Sequence, residues 1–381
     1  MTATILLRRP RATTSFDADV DHCALAIRRH SAPAAEECPA APLVAELRRY
    51  GLLAAAVPVA DGGLGLAHEP ADPLRLVRML TAIGRANLSA GRLLEGHVNA
   101  LKLVALHAKD DVRSDLFVSA RAGGLFGVWG AEGPHPVRLA PAPKDELRLD
   151  GEKLFASGAD VVDVAILTAR DQDDRTLLVA LPTAALAGRL FPGEWSVSGM
   201  KATASGRCNL EGLGITEAQV LGGPDVYFRE PTFEGGVWRY AAVQLGGMYA
   251  IAGHAADQLR ARRQAAAPLQ AARLRQLVTA CETARLWVAS AARATEAPAA
   301  PPAAAQVAVL ARLKVAEEAA RLLQIADEAM GAASFALSHP AERVRRDLQL
   351  YLRQADPDGM GHRAMERILD DDDQLARWGI A

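Results

Sequence analysis

The stretch Leu147–Thr168, LRLDGEKLFASGADVVDVAILT, decides the fold because it contains three short β-strands in a chain that reads as helical on both sides. Leu147–Leu149 alternates apolar and polar residues, and the dipeptide Asp150–Gly151 is typical of a two-residue hairpin turn. Residues 152–157 are expected to return as the second strand. Val161–Thr168 is a nearly continuous run of β-branched and aliphatic residues, which indicates a strand with little solvent exposure. The sequence therefore predicts a small β unit between two helical blocks.

Composition narrows the class of protein. The chain has 381 residues, a formal net charge of −2 and 50% hydrophobic residues, which is enough for a large core and for two or three domains. A charge near zero argues against nucleic acid as a partner. No apolar run is long enough to span a bilayer, and the apolar part of the N-terminus is too short for a secretory signal. A cytoplasmic protein without membrane contact is expected.

The four cysteines are Cys23, Cys38, Cys208 and Cys281. None belongs to a CxxC pair, and no His/Cys cluster has the spacing of metal ligands. Reduced thiols and the absence of a metal site are therefore expected.

Composition along the chain predicts an α+β fold that is mainly α. Glycine, proline and β-forming residues become frequent between about residues 116 and 221, and Asp110–Asp111 is interpreted as the preceding boundary. We predict an N-terminal helical domain at 1–114, a small, barrel-like β domain at 115–228 and a C-terminal four-helix bundle at 229–381. The bundle helices are expected at Gly236–Arg263, Leu269–Glu296, Ala303–Met330 and Ala341–Leu352.

Several charged residues have an ordinary structural interpretation beside a functional one. Arg239 lies on an apolar helix, where it could pair with Glu234 or Asp347 or could anchor a substrate. His97 and His107 are expected at the surface or at helix caps.

Five stretches, in order, resemble the acyl-CoA dehydrogenases, a superfamily that also includes related flavin monooxygenases. They are GLLAAAVPVADGGLGL at 51–66, LRLDGEKLFASGADVVDVAIL at 147–167, GMKATASGRCNL at 199–210, the helix that begins near 237, and MGAASF with RVRRDLQLYLRQADPDG at 330–335 and 343–359. The resemblance covers roughly residues 40–370. It implies an N-terminal helical domain, a middle β domain and a C-terminal helical bundle.

The resemblance also implies a flavin, FAD with FMN as the alternative, between the β domain and the C-terminal helices. Phe126, Val128 and Trp129 match the first flavin-contacting strand, and Phe155 and Ser157 match the aromatic and hydroxyl residues of the second. An aromatic face can stack on the flavin ring, and a hydroxyl can bond its edge. Without the resemblance, Trp129 and Phe155 would be taken for core aromatics and Ser157 for a strand-end hydroxyl.

Two further positions are implied for the rest of the cofactor. Arg263, or its neighbour Arg262, matches an arginine that reaches the pyrophosphate across a dimer, and Gly331 matches the turn under the adenosine half. The resemblance implies a homodimer or homotetramer. It also implies a small-molecule substrate such as an acyl-CoA, and an electron-transfer flavoprotein or a flavin reductase as redox partner.

The catalytic base of the family has no counterpart. A dehydrogenase of this type oxidises the CH–CH bond of an acyl thioester and needs a carboxylate to remove the α-proton. The usual position is Ala355, and the position used by some relatives is Trp238, beside Arg239. Asp356 is the nearest carboxylate, although Asp before Pro is typical of a turn. With only Asp356 and Arg239 as candidates, three functions stay open: a flavin-dependent dehydrogenase, a reduced-flavin-dependent monooxygenase of the same fold, and an inactive flavoprotein.

Overall fold

The structure is a computed structural model that describes residues 15–31, 39–143, 146–354 and 356–380. Helices precede and follow a β region, so the predicted mainly α fold with a small central β unit is confirmed. Within the described residues, no helix is both long enough and apolar enough to cross a membrane.

The N-terminal part contains one helix that the sequence did not predict. Asp110–Asp111, interpreted as a boundary, instead begins the helix α5 (Asp110–Arg121). Two carboxylates in the first turn interact favourably with the positive end of the helix dipole. The predicted domain border at 114/115 therefore falls inside α5, and the domain limits remain a prediction. The helices are α1 (Phe16–His30), α2 (Ala40–Arg49), α3 (Pro73–Ala86), α4 (Leu88–His107) and α5 (Asp110–Arg121).

The strands form two sheets. In the larger sheet the order is β10-β6-β5-β2-β3-β9, with β1 parallel to β5 in the register Phe126↔Val164, and the smaller sheet has the order β4-β8-β7. The strands are β1 (Phe126–Trp129), β2 (Arg138–Pro141), β3 (Leu147–Asp150), β4 (Glu152–Ala156), β5 (Val164–Arg170), β6 (Thr176–Pro182), β7 (Leu190–Phe191), β8 (Gly206–Asn209), β9 (Leu213–Ile215) and β10 (Val220–Leu221).

The predicted hairpin at Asp150–Gly151 is wrong. β3 pairs with β2 and β9 in the larger sheet, whereas β4 pairs with β8 in the smaller one. Of the two residues in this dipeptide, only Gly151 has a positive φ, at 118°. The type I′ turn expected for a two-residue hairpin needs a positive φ at both. A Cβ at Gly151 would come within 2.6 Å of the Pro136 carbonyl oxygen. The dipeptide is thus a tight corner at which the chain changes sheets.

The C-terminal part contains the four predicted bundle helices and two more. α6 is buried along most of its length and packs closely on α3. The close approach requires a glycine at position 84, because a Cβ there would lie 2.4 Å from the Val243 carbonyl oxygen. The helices are α6 (Trp238–Ala261), α7 (Pro268–Thr295), α8 (Ala304–Met330), α9 (Pro340–Tyr351), α10 (Pro357–Leu369) and α11 (Asp372–Trp378).

His97 contradicts its predicted surface position. It is fully buried on α4, with Nε2 3.0 Å from the Leu53 carbonyl oxygen, and its Nδ1 accepts a hydrogen bond of 3.0 Å from the backbone N–H of Phe126. Since Nδ1 accepts, the ring is neutral and the proton is on Nε2. Burial lowers the pKa of His97 to about 4. A neutral histidine therefore connects α4 to the first strand of the β region.

We expect His97 to make the protein acid-sensitive. Its folded pKa of about 4 lies below the ordinary value of 6.5, so the unfolded chain takes up the proton first as the pH falls. Stability from this residue is complete above pH 6.5 and is lost as the pH falls towards 4. In His97→Gln, the drop in the free energy of unfolding between pH 7 and pH 4.5 should shrink by roughly 2–3 kcal/mol, measured by urea unfolding.

The control is His362→Gln, because the His362 side chain is 74% exposed and its partner, Glu366, also lies at the surface. This variant should follow the wild-type pH dependence. An unchanged pH dependence in His97→Gln would contradict the assignment of a neutral buried imidazole.

Candidate active site

A central cavity of about 780 Å³ lies where α4, the β region and the C-terminal helices meet. Its wall is formed by one face of α4, the ends of β1 and β4, and the β7–β8 connection. The segment before α6, the first turn of α6 and the connection between α9 and α10 form further parts of the wall, together with Thr168, Arg170 and Thr176 of β5 and β6. This volume is in the range of small-molecule and cofactor sites.

Phe155 is held in the cavity wall by an irregular strand. The pairing of β4 with β8 shifts register between Lys153 and Ala156, and Phe155 in this interval has a φ of 52°. A bulge re-aims a side chain, and a positive φ is strained for a bulky residue. Phe155 is consequently 58% exposed inside the cavity, and its ring meets that of Trp195 edge to face at 5.9 Å.

A cluster of three hydroxyls, which we call the hydroxyl cluster, stands beside Phe155. Ser205 Oγ lies 2.9 Å from Ser157 Oγ and 2.8 Å from Thr203 Oγ1, and Thr203 donates to the Met200 carbonyl oxygen at 2.7 Å. Because Thr203 uses its only proton on Met200, it can only accept from Ser205. Ser157 can in turn donate to Ser205, which leaves lone pairs on Ser157 Oγ for a ligand donor.

Met200 connects this wall to the C-terminal helices. Its backbone N–H donates to Asp347 Oδ1 at 2.6 Å, and its carbonyl oxygen accepts from Trp195 Nε1 at 2.9 Å. Arg346 donates to the Ser198 carbonyl oxygen at 2.6 Å. The segment 199–210 of the β region and the segment 343–359, both of which carried the family resemblance, are therefore in direct contact.

The residues predicted for the flavin wall divide into two groups. Val128, Phe155 and Ser157 line the cavity. Phe126 and Trp129 are buried and are not among the lining residues, so the core-aromatic interpretation describes these two. Trp129 supports the cavity wall from behind, because its Nε1 donates to the Ser157 carbonyl oxygen at 3.1 Å.

Arg263 and Gly331 lie away from the cavity. Arg263 follows the end of α6 with a φ of 57°, and Gly331 ends α8 with a φ of 72°. The two segments meet, since Gln258 donates to the Met330 carbonyl oxygen at 2.8 Å. Their predicted contact with a cofactor depends on a second subunit and stays a prediction.

Arg239 has a different partner from the two that the sequence suggested. It binds Glu296, which also accepts from Lys102 Nζ at 2.6 Å. Glu234 is held instead by Arg363 and Arg367, and Asp347 is committed to Met200. The sequence could not identify this network, because Lys102 on α4 and Glu296 at the end of α7 are brought to Arg239 only by packing.

Hydrogen bonds continue the Arg239–Glu296 ion pair along α4. Arg239 Nη1 donates to Asn99 Oδ1 at 3.0 Å, Asn99 donates to Glu95, and Glu95 pairs with Arg92 at 2.7 Å. These α4 residues and Lys102 were not predicted as site residues. They recur at 92, 95, 99 and 102, one face of a helix that is otherwise apolar, and this polar stripe was the available signal.

Buried charges in this network are strongly coupled. Burial and the neighbouring Arg239 lower the pKa of Lys102 to about 8. Burial opposes ionisation of Glu296, yet Arg239 and Lys102 hold its pKa below the ordinary value. A carboxylate between two cations is therefore the stable state of this network.

No carboxylate that lines the cavity, among the described residues, is without a cation. Asp356 also caps α10 with a φ of 46°, accepting from the Gly359 N–H at 3.1 Å, as expected of a turn residue. Trp238 is fully buried, and Ala355 lies outside the described residues. The pairs are Glu95–Arg92 at 2.7 Å, Glu132–Lys153 at 2.8 Å, Glu234–Arg363 at 2.9 Å and Asp356–Arg363 at 3.3 Å.

Comparison with known proteins agrees with this architecture. Residues 230–352 match the family model of the acyl-CoA dehydrogenase C-terminal domain. Butyryl-CoA dehydrogenase from Megasphaera elsdenii superimposes with a TM-score of 0.80 over 95% of this chain and 100% of the other, at 17% identity. The C-terminal part of the chain is therefore similar to this family, and nearly the whole chain shares the fold of one of its members. Its sequence is divergent, and the structural match by itself shows the fold alone.

Monooxygenases are also among the proteins to which the chain is similar. Dibenzothiophene monooxygenase from Rhodococcus erythropolis is 27% identical over 193 residues, which cover 48% of this chain and 45% of the relative. The chain thus spans about half the length of this relative. FMN-bound TdsC from Paenibacillus sp. A11-2 matches in structure with a TM-score of 0.79 over 93% of this chain and 97% of the other, at 18% identity.

We expect Glu296→Gln to be strongly destabilising. The substitution leaves Lys102 and Arg239 as buried cations without a carboxylate between them. Loss of one partner from a buried ion pair costs about 3 kcal/mol or more. Urea unfolding at pH 7 measures the change in the free energy of unfolding.

Glu366→Gln is the matched control, since this glutamate is 58% exposed and pairs only with a surface histidine in the described structure. It should change the free energy of unfolding by less than about 0.5 kcal/mol. Equal effects of the two substitutions would show that the buried network contributes no more than a surface pair.

Proposed function

We propose that the protein is a monooxygenase that uses reduced flavin to transfer one atom of O₂ to a small aromatic substrate. One observation carries the proposal: the central cavity has a wall suited to a flavin but, in the described residues, no unpaired carboxylate to remove an α-proton. Oxygen transfer from reduced flavin needs no such base. Similarity to dibenzothiophene monooxygenase supports the same function.

The cavity wall fits a flavin in its chemistry. Phe155 and Trp195 present aromatic surface, and Ser157 offers an oxygen with free lone pairs beside them. Val128 adds an apolar contact on the β1 side. The resemblance implies FAD, and the FMN-bound structural neighbour makes FMN the alternative. These residues would hold the ring system, whichever form is bound.

The bound flavin, when reduced, supplies two electrons. The overall reaction consumes O₂ and two protons, places one oxygen atom on the substrate and releases the other as water. The chain's own contribution is to exclude bulk water and orient the substrate. Tyr227, Phe228 and Phe233 do so in the segment before α6, with ring centroids 4.9–5.3 Å apart.

A dehydrogenase acting on the CH–CH bond of an acyl thioester is the second candidate, since the fold is shared with butyryl-CoA dehydrogenase. It would require Asp356 to leave its helix cap and its pairing with Arg363. We further infer a homodimer or homotetramer in the cytoplasm. A flavin reductase is the partner in the first case and an electron-transfer flavoprotein in the second.

The decisive assay supplies the purified protein with flavin, a flavin reductase, NADH and ¹⁸O₂. Indole, dibenzothiophene and simple aromatic acids are tested as substrates. We expect mass spectrometry to find one ¹⁸O atom in a product, and anaerobic acyl-CoA thioesters to leave the flavin oxidised.

Asp356→Asn separates the two candidates. It should retain most oxygenation activity, because the carboxylate caps α10 and pairs with Arg363 but takes no part in the proposed oxygen transfer. Anaerobic bleaching of the wild-type flavin by an acyl-CoA, abolished in Asp356→Asn, would replace the monooxygenase proposal with the dehydrogenase one.

The double variant Phe155→Ala/Ser157→Ala should lose flavin during purification. It removes an exposed aromatic face and the outermost oxygen of the hydroxyl cluster. The flavin-to-protein ratio from absorbance measures the loss. Phe228→Ala, which removes another half-exposed aromatic from the same cavity, should keep its flavin. Equal retention in both variants would refute the assignment of the flavin wall.

A further inference from the structure

One end of the central cavity has more positive than negative charge. Arg92, Lys102 and Arg239 line this end, which we call the basic end, and in the described part of the chain they form ion pairs with two carboxylates, Glu95 and Glu296. Three cations against two carboxylates leave a surplus of one positive charge. A structural link between α4 and the C-terminal helices would need no such surplus.

The surplus is buried, where it is costly. Lys102 is 8% exposed and Arg239 is 2% exposed. Arg239 Nε is buried and has no hydrogen-bond partner among the described residues. The lowered pKa of Lys102 has the same cause, because burial and Arg239 both oppose its charge. A buried guanidinium N–H without a partner, in a network with one surplus positive charge at a cavity wall, indicates a site for an anion.

Nearby groups do not cancel this charge. Glu69 acts on Lys102, but it is exposed, so water screens it. Burial lowers the pKa of His68, so its ring is neutral at pH 7. Glu234, which also lines the cavity, is already neutralised by Arg363 and Arg367.

Aromatic residues surround the basic end. Tyr227, Tyr240 and Tyr351 line the cavity and lie within electrostatic range of Arg92 and Glu95. Burial raises the pKa of Tyr227 and of Tyr240 to about 12, so these phenols are neutral and add no negative charge. Phe228 and Phe233 extend the aromatic surface. The space suits a flat ring that carries one charged group.

We propose that the basic end binds a single negatively charged oxygen group, a carboxylate or a phenolate, of a small aromatic substrate. The inference rests on the proposed function, because it places the substrate in the same cavity. It narrows the substrate class to aromatic monoanions, for which Lys102 and Arg239 are the binding residues.

The first experiment measures binding without turnover. The protein as purified is titrated by calorimetry with benzoate, with its neutral isostere benzamide, and with 4-nitrophenolate, whose visible absorption reports its ionisation. We expect at least one anion to bind at least about tenfold more tightly than benzamide. Benzoate and 4-nitrophenolate distinguish the carboxylate from the phenolate. Equal or better binding of benzamide than of both anions would overturn the proposal.

The second experiment removes the surplus charge. Lys102→Met should weaken binding of the preferred anion by about tenfold or more and leave benzamide binding unchanged. Arg353→Gln is the matched control, because it removes one positive charge from an exposed position on the same cavity. It should change anion affinity by less than about twofold, since exposed charges are screened.

Full anion affinity in a folded Lys102→Met variant would overturn the assignment. If that variant does not fold, the comparison of anion and benzamide on the wild-type protein decides alone. Binding is measured without NADH or O₂, so a failure of the proposed oxygenation and a failure of anion binding are distinguished.

Discussion

The buried carboxylate of Glu296 is the interaction on which the arrangement of the cavity depends. It lies between Lys102 of α4 and Arg239 of α6, and so ties an N-terminal helix to two C-terminal ones. Removing the carboxylate would leave two buried cations without a counter-ion, so the position of these three elements depends on Glu296. The same network carries one more positive charge than its carboxylates neutralise. The contact between these helices and the proposed anion site therefore use the same group of side chains.

The hydrogen bonds of Met200 hold the wall that carries Phe155 in a strained backbone conformation. Phe155, Met200 and Ala204 all have positive φ values, and each such residue costs about 1–3 kcal/mol. Asp347 of α9 compensates by accepting from the Met200 backbone N–H, and Trp195 and Thr203 donate to the Met200 carbonyl oxygen. Strain that packing maintains beside a cavity is typical of a binding site, because it keeps side chains such as Phe155 exposed to a ligand.

The chain shares the fold of butyryl-CoA dehydrogenase, and the proposed oxygen transfer is consistent with the two walls of its cavity. The wall suited to a flavin depends on backbone shape and on small hydroxyl residues. The base depends on one side chain, and position 355 is alanine. Asp356, the nearest carboxylate, is used to begin α10. The proposed oxygen-transfer reaction needs no base and agrees with both facts, whereas proton abstraction would require Asp356 to leave its cap and its pairing with Arg363.

The sequence alone determined the helices α6–α9 and the central strands, because periodicity reflects local structure. Val128, Phe155 and Ser157, which line the cavity, were expected there from the family resemblance and not from local pattern. The sequence did not determine which strands share a sheet, so the corner at Gly151 was taken for a hairpin. It also missed the burial of His97 and the pairing of Arg239 with Glu296, 57 residues apart. The polar stripe on α4 was visible in the sequence, but its meaning was not. Only tertiary packing decides which buried charges meet, because their partners come from distant segments and local pattern carries no information about them.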